Sequence, residues 1–273
     1  MNRTNCFSAA AIAAISLNAI AAAAAPRTVG QTFVYDVTVA TKMTSGVPSA
    51  VPAFARAQYE AQQAMAAKGS TSTYTFTVDR VESDGSSHLQ GAETGSRFPA
   101  AALALAPYLN TFMATLSPDG SIVPIFDPNM APSTTRDNKF HTTLPTEASA
   151  QNMNAEQVHM TEFNRFAQGC AKRGHFTIGD VWRVRAKDSS GMATLYEFSV
   201  SALDDVSGHQ YPHVSMSTSS TGTTGSQKIT SDGHYDANAG IVVDFHEQTA
   251  FNNTYPGGET SGTTSTDYRL RPQ

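Results

Sequence analysis

The sequence predicts an α+β fold, a large and curved antiparallel β-sheet with two or three helices packed on one face. Three observations predict it. Period-two alternation of apolar and polar residues opens the chain after residue 26. Six further strand-like segments with short connections fill it from Val181 onward. Only two long stretches between them carry helical spacing.

Gln31 to Thr41 is the first strand, with Phe33, Tyr35, Val37 and Val39 alternating with Val34, Asp36, Thr38 and Ala40. Residues 52–68 read as a helix, because Pro52 stands at its start and Gly69 just past its end. Its expected apolar stripe is Phe54, Ala57, Ala61, Ala64 and Met65. Thr71 to Val81 is a second strand, and Asp84-Gly85 turns it into a hairpin that returns through His88 to Gly91. Phe98 to Tyr108 fits a short helix, since Ala and Leu favour one. Thr111 to Leu116 and Ile122 to Phe126 form another hairpin around Ser117-Pro118-Asp119-Gly120, where Pro presets φ and Asp-Gly tolerates positive φ. Met130 to Lys139 is a polar loop. Residues 146–172 give the longest helical candidate, with Met160, Phe163, Phe166, Ala167 and Cys170 on one face and Gly174 as its stop.

The remaining segments are Val181–Lys187, Met192–Leu203, Tyr211–Ser219, Gly225–Tyr235, Gly240–Ala250 and Gly262–Leu270. Sequential strands with short loops pair antiparallel, so this third of the chain is expected to be a meander. Tyr196, Phe198 and Val200 form one strand face, and Ile241, Val243 and Phe245 another. Ser215 to Ser231 and Gly258 to Thr266 are so polar that edge positions are expected for them, with a disordered linker as the alternative.

Residues 1–25 carry an address. Arg3 supplies a short basic region, an apolar run follows from Cys6, and the alanine tract Ala21 to Ala25 supplies small residues for cleavage. That is the layout of a secretory signal peptide, cut near Ala23–Ala25, with a membrane anchor as the alternative. Residues 26–273 are then expected to form a single β-rich domain, with helical insertions near 52–68 and 146–172. Cleavage removes Cys6 and leaves Cys170 alone, so the mature chain would hold no internal disulfide. Cys170 reads as a small buried apolar residue.

Loss of Arg3 takes the formal charge from −5 to −6. Mild acidity argues against nucleic acid, which needs a basic face, and against a polybasic grip on membrane. Charged residues make up only 15% of the chain, and Ser and Thr carry most of its polarity, a composition that suits exported β proteins. No apolar run after residue 26 approaches membrane-spanning length, so no transmembrane segment is expected in the mature chain.

Two short motifs carry a resemblance. The first is Thr177-Ile178-Gly179-Asp180-Val181-Trp182-Arg183-Val184, a Gly-Asp-x-Trp opening to a strand. The second is Gly233-His234-Tyr235-Asp236 with Gly240-Ile241-Val242 downstream. With the order of strand, hairpins, helices and long meander, the chain resembles the half-barrel carriers of bacterial envelopes, the LolA, LolB and LppX group. The resemblance implies a half-barrel whose curved sheet wraps a greasy cavity plugged by helices, with lipid or acyl chains inside. It implies no catalytic residue. LolB and LppX are lipoproteins, whereas Arg3-Thr4-Asn5 before Cys6 lacks the small apolar residues of a lipidation site.

Chemistry-bearing constellations are sparse. His209 and His213 are weak metal candidates, since four residues along a straight strand separate them by about 13 Å. His234, Asp244 and His246 lie on the neighbouring hairpin, so a His/Asp site could form across strands, against the plainer reading of solvated hairpin histidines. Cys170 has only His175 close by and none of the flanking signature of a cysteine protease. No Gly-x-Ser-x-Gly elbow and no phosphate loop occurs, and Asp36, Asp79, Glu82 and Glu197 are scattered acids. No cofactor is indicated. What remains is an apolar wall: Phe33, Tyr35, Tyr74, Phe76, Trp182, Tyr196, Phe198 and Phe245 are the ligand-lining candidates, unless they serve only as core. The expected function is exported, non-enzymatic binding or carriage of a lipid or other apolar molecule. The alternatives are a structural or surface-interaction β module and, least supported, an envelope hydrolase.

Overall fold

The computed structural model describes residues 26–46, 51–95, 111–125, 160–187, 193–222, 225–255 and 258–272. Residues 1–25, Phe98 to Tyr108, Met130 to Lys139 and residues 146–159 lie outside them. The strands are β1 (Thr32–Met43), β2 (Ser70–Val81), β3 (Ser87–Thr94), β4 (Thr111–Leu116), β5 (Ile122–Ile125), β6 (Val181–Lys187), β7 (Ala193–Val206), β8 (His209–Gly222), β9 (Gly225–Asp236), β10 (Ile241–Tyr255) and β11 (Gly258–Leu270). Two helices accompany them, α1 (Arg56–Lys68), entered through a 3-10 turn at Ala53–Ala55, and α2 (Thr161–Arg173).

All eleven strands form one antiparallel sheet in the order β5-β4-β3-β2-β1-β11-β10-β9-β8-β7-β6. Two meanders, β1 to β5 and β6 to β11, therefore meet at a single seam, where Tyr35 faces Leu270 and Met43 faces Gly262. The expected large antiparallel sheet with helices on one face is present, and the α+β expectation is narrowed by this count. Among the described residues the protein is mainly β, an open sheet with two short helices on one side, not closed into a barrel.

The sheet curls around α2. The Asn164 side-chain amide takes the place of a neighbouring strand for β5, accepting from the Ile122 N–H and donating to the Ile122 carbonyl, both at 2.7 Å. At the other edge Trp182 of β6 donates from Nε1 to the Gly169 carbonyl at 3.0 Å. One helix thus touches both edges. The turn end is drawn shut as well: Tyr235 donates to the Asp119 carbonyl at 3.0 Å, and Arg27 reaches the carbonyls of Gly85 and Gly240, each at 3.2 Å.

Helix α2 forms where the sequence places its apolar face. Phe163, Phe166, Ala167 and Cys170 recur at i, i+3, i+4 and i+7, and all are buried. Lys172 and Arg173 favour its negative C-terminal end, and Gly174, at φ 74°, stops it. Phe163 packs against Tyr35, Phe245 and Tyr268 with ring centroids 5.6, 6.0 and 5.0 Å away. Each such buried ring contributes about 1.5–3 kcal/mol.

Three local expectations are corrected. In α1 the half-buried positions are Tyr59 and Gln63, whereas Phe54 is 90% and Met65 63% exposed. Alanines carry too little apolar surface to decide which face docks. The Ser/Thr-rich strands lie inside the sheet rather than at its edges, which are β5 and β6. A central strand needs its backbone paired on both sides more than it needs apolar side chains, and threonines bridge across, as between Thr41 and Thr264 at 3.2 Å. Finally, a bulge between Val242 and Asp244 turns Val242 inward beside Phe245 and leaves Val243 half-buried. No helix among the described residues is long and apolar enough to cross a membrane.

Candidate functional site

The eight lining candidates divide into three groups. Tyr35, Tyr74 and Phe76, with Val37, Met160 and Tyr268, surround a packing gap on the concave face that is too small to hold a water molecule. Trp182, Tyr196, Phe198 and Phe245 pack against α2 or beside it. Trp182 stacks on Phe198 at 5.1 Å, and Phe245 meets Phe166 at 5.1 Å. Phe33, directly opposite Phe76 and on the same face as Tyr35, also lines a separate groove at the start of β1.

This groove encloses about 360 Å³. It exists because β11 stops at Leu270, so β10 before Asp244 and the start of β1 have no strand between them. The gap is roofed by the β7–β8 hairpin, whose strands run past the end of β9: Pro212 of β8 pairs with Leu203 of β7, and the β8–β9 ladder begins only at His213. Proline lacks the N–H that a further rung would use. Phe33, Val206, Tyr211, Ile241, Val243 and Leu270 give the groove its apolar walls, and Gln31, His209, Asp236 and Arg271 its polar rim. Arg271 is already committed to Asp36, with Nη2 2.7 Å from Oδ1.

Beside the groove, on the convex face, lies a histidine–carboxylate row. His213 faces His234 directly across β8–β9, and His234 faces Asp244 across β9–β10. The imidazole centroids of His213 and His234 are 4.9 Å apart. Asp204 of β7 places Oδ2 2.8 Å from His213 Nδ1 and 3.0 Å from His234 Nε2. Hydrogen bonds from these imidazoles hold the Asp204 carboxyl below the usual carboxylate range. For His234, burial lowers the pKa but the carboxylates of Asp204 and Asp244 outweigh it, and the net shift is upward. The weak metal candidates His209 and His213 are not brought together. β8 keeps its register through Pro212 without a bend, so His209 stays at the groove, 6.1 Å from Tyr211 by ring centroids. Asp204 carries no sequence signal of its own. Its place follows only from the register that sets Ala202 opposite His213 and Asp204 one diagonal step away.

A third cluster lies inside. Glu162, at the first turn of α2, accepts from Arg165 at 3.1 Å and from the Tyr196 hydroxyl at 3.3 Å. Burial raises its pKa to about 7, an effect that nearby Glu247 reinforces and Arg165 only partly offsets. Glu247 is itself raised by burial, although the Thr249 hydroxyl donates to it at 2.6 Å. Cys170 is fully buried in the core, and burial pushes its thiol up, which leaves no reactive thiolate.

No protein-family model and no curated protein matches the chain. The chain is similar to solved structures. A chain described as "lipid-protein interactions in lipovitellin" superposes with a TM-score of 0.49 at 7% sequence identity, over 90% of this chain and 25% of that one. The protein therefore spans a quarter of the length of this neighbour.

Proposed function

We propose that the protein is an exported, non-enzymatic binding protein for a small amphipathic molecule of lipid-like character, held in the groove between β1, β10 and the β7–β8 hairpin. The single observation behind this reading is the groove itself. Small-molecule sites are concave spaces of roughly 300–1,000 Å³ with apolar walls and a few polar anchors. At about 360 Å³, with Phe33, Val206, Ile241, Val243 and Leu270 as walls and Gln31, His209 and Asp236 at the rim, the groove meets that description. The gap under α2, walled by Tyr35, Tyr74, Phe76 and Tyr268, has no room even for a water molecule and falls below it. The reading keeps the carrier character implied by the half-barrel resemblance and moves the ligand from beneath α2 to the groove beside the start of β1. Export rests on the layout of residues 1–25, and the absence of catalytic function on the lack of any recognisable nucleophile or acid–base motif.

Native mass spectrometry and organic extraction of protein purified from the exported fraction test it. A co-purifying lipid-like mass, and displacement of a fluorescent fatty acid, are expected. Ile241→Trp, which fills the groove, should abolish both, whereas Val37→Ala, which enlarges the inner space, should leave them intact. A clean apo mass without fatty-acid displacement refutes the carrier reading. Loss of binding in the inner variant alone would return the ligand to the space under α2. N-terminal sequencing of the same sample should begin at Ala24 or Ala25.

A further inference from the structure

We propose that Asp204, His213 and His234 form a binding site for a divalent transition-metal ion of the zinc class on the convex face. The site stands on its own residues and does not depend on a ligand in the groove.

The ladder supplies preorganisation. His213 and His234 form a directly opposed cross-strand pair, Asp244 opposes His234 from the next strand, and Asp204 lies one diagonal step beyond His213. Three neighbouring strands of a central sheet therefore fix three donor groups, whose nitrogen and oxygen atoms all lie within 4.8 Å of one another. Bonds of 2.0–2.1 Å in a tetrahedral zinc site set ligand atoms about 3.3 Å apart. Asp204 Oδ2 is now 2.8 and 3.0 Å from the two imidazoles, so admission of an ion requires a spread of a few tenths of an ångström on these contacts.

The nitrogens give the second argument. Each imidazole has a carboxylate at both of its nitrogens. His234 has Asp244 at Nδ1, 2.9 Å away, and Asp204 at Nε2. His213 has Asp204 at Nδ1 and Asp232 at Nε2, 3.5 Å away. A neutral imidazole carries a single N–H. In the neutral form, His234 donates from Nδ1 to Asp244 and turns its Nε2 lone pair toward Asp204 Oδ2, which also faces His213, a conflict that either a proton or a metal ion on Nε2 relieves. An ion between the three atoms takes all these lone pairs. Asp244 and Asp232 then accept the outer N–H groups, the arrangement in which a carboxylate orients a metal-bound histidine. Two imidazoles and one carboxylate form a borderline donor set that suits zinc, cobalt or nickel rather than magnesium or calcium. The Asp204 and His213 side chains are 39% and 31% exposed, so solvent can reach a fourth coordination position, while His234, at 13%, anchors the site.

Isothermal titration of tag-free, chelator-treated full chain with zinc chloride tests the site, and cobalt substitution reads its geometry. One ion per chain and a tetrahedral cobalt spectrum are expected, with no competition from magnesium. His234→Gln and Asp204→Asn should each weaken zinc at least 100-fold. Asp244→Asn should weaken it 10–100-fold, as loss of an orienting partner does. His246→Gln should change nothing, because His246 pairs with Asp267 at 2.6 Å and stands outside the cluster. Circular dichroism checks that each variant folds, and Asp204→Asn alone decides the matter if His234→Gln fails to fold. Absence of stoichiometric binding at micromolar zinc overturns the proposal. So does one-to-one binding that survives His234→Gln and Asp204→Asn unchanged.

Discussion

Replacement of Gly169 by alanine should destabilise the protein, although the same change in an exposed helix is favourable. Gly169 lies within α2, where alanine normally gains about 0.8–1 kcal/mol over glycine. Here a Cβ would be driven into the Phe198 ring, 2.8 Å from Cε2 and nearer still to two other ring carbons. Phe198 is 1% exposed and stacked on Trp182, and Trp182 in turn holds the Gly169 carbonyl. Neither the ring nor the helix can step aside without breaking that bond. Overpacking of this kind costs about 1–3 kcal/mol, and the locked geometry places it at the upper end. The net expectation is a loss of about 2 kcal/mol, or roughly 4–8 °C in Tm for a chain of this size. Urea melts followed by far-ultraviolet circular dichroism read it directly. Addition of Phe198→Leu to Gly169→Ala should recover part of the loss, since the smaller side chain leaves room for the methyl. A Gly169→Ala melt that is unchanged or raised would refute the close approach of α2 to β7.

Glu162 makes stability depend on pH. Its folded pKa is raised to about 7 above the ordinary 4.5, so the folded state binds the proton more tightly. The contribution is complete below pH 4.5 and is lost as pH rises through 7, up to about 3 kcal/mol in all. Glu162→Gln should flatten this part of the stability profile between about pH 5 and 8, and an unchanged slope would reject Glu162 as its source. Asn164→Ala removes both hydrogen bonds to Ile122 and should cost about 2–3 kcal/mol, with faster amide exchange at Ile122 as its local signature. Val242→Asp should unfold the protein or cost at least about 3 kcal/mol, whereas Val243→Asp, on the half-buried side of the bulge, should cost about 1 kcal/mol. Equal losses in thermal or urea melts would argue against the bulge.

Much of the strand content was legible because its signals are local. Period-two alternation marks β1 and β2, and Asp84-Gly85 and Pro118-Asp119-Gly120 mark the hairpin turns without reference to the rest of the chain. Helix α2 was legible for the same reason, through Phe163, Phe166 and Cys170. Strand order was not, because β1 pairs with β11, and no local pattern tells Tyr35 that Leu270 is its neighbour. The polarity of β8, β9 and β11 pointed to edges only on the assumption that a central strand must be greasy. The bulge in β10 shifted Val242 and Val243 by one residue, a change that alternation alone cannot reveal. The histidine row was half legible: Gly222 and Gly225 face each other at the β8–β9 turn, and counting back from that rung sets His213 against His234. Asp204 required the β7 register as well, including its irregularity between Val200 and Ala202.

The seam between β1 and β11 also governs when the protein can become whole. A ribosome delivers β1 first and β11 last, so Tyr35 leaves the tunnel long before Leu270 has been made. Until then β1 has β2 on one side and a bare row of backbone donors and acceptors on the other. Contacts so distant in sequence slow folding and prolong the life of such an unpaired edge. The nascent chain must therefore be kept from pairing that edge with a stranger until β11, made after the other ten described strands, retires the hazard.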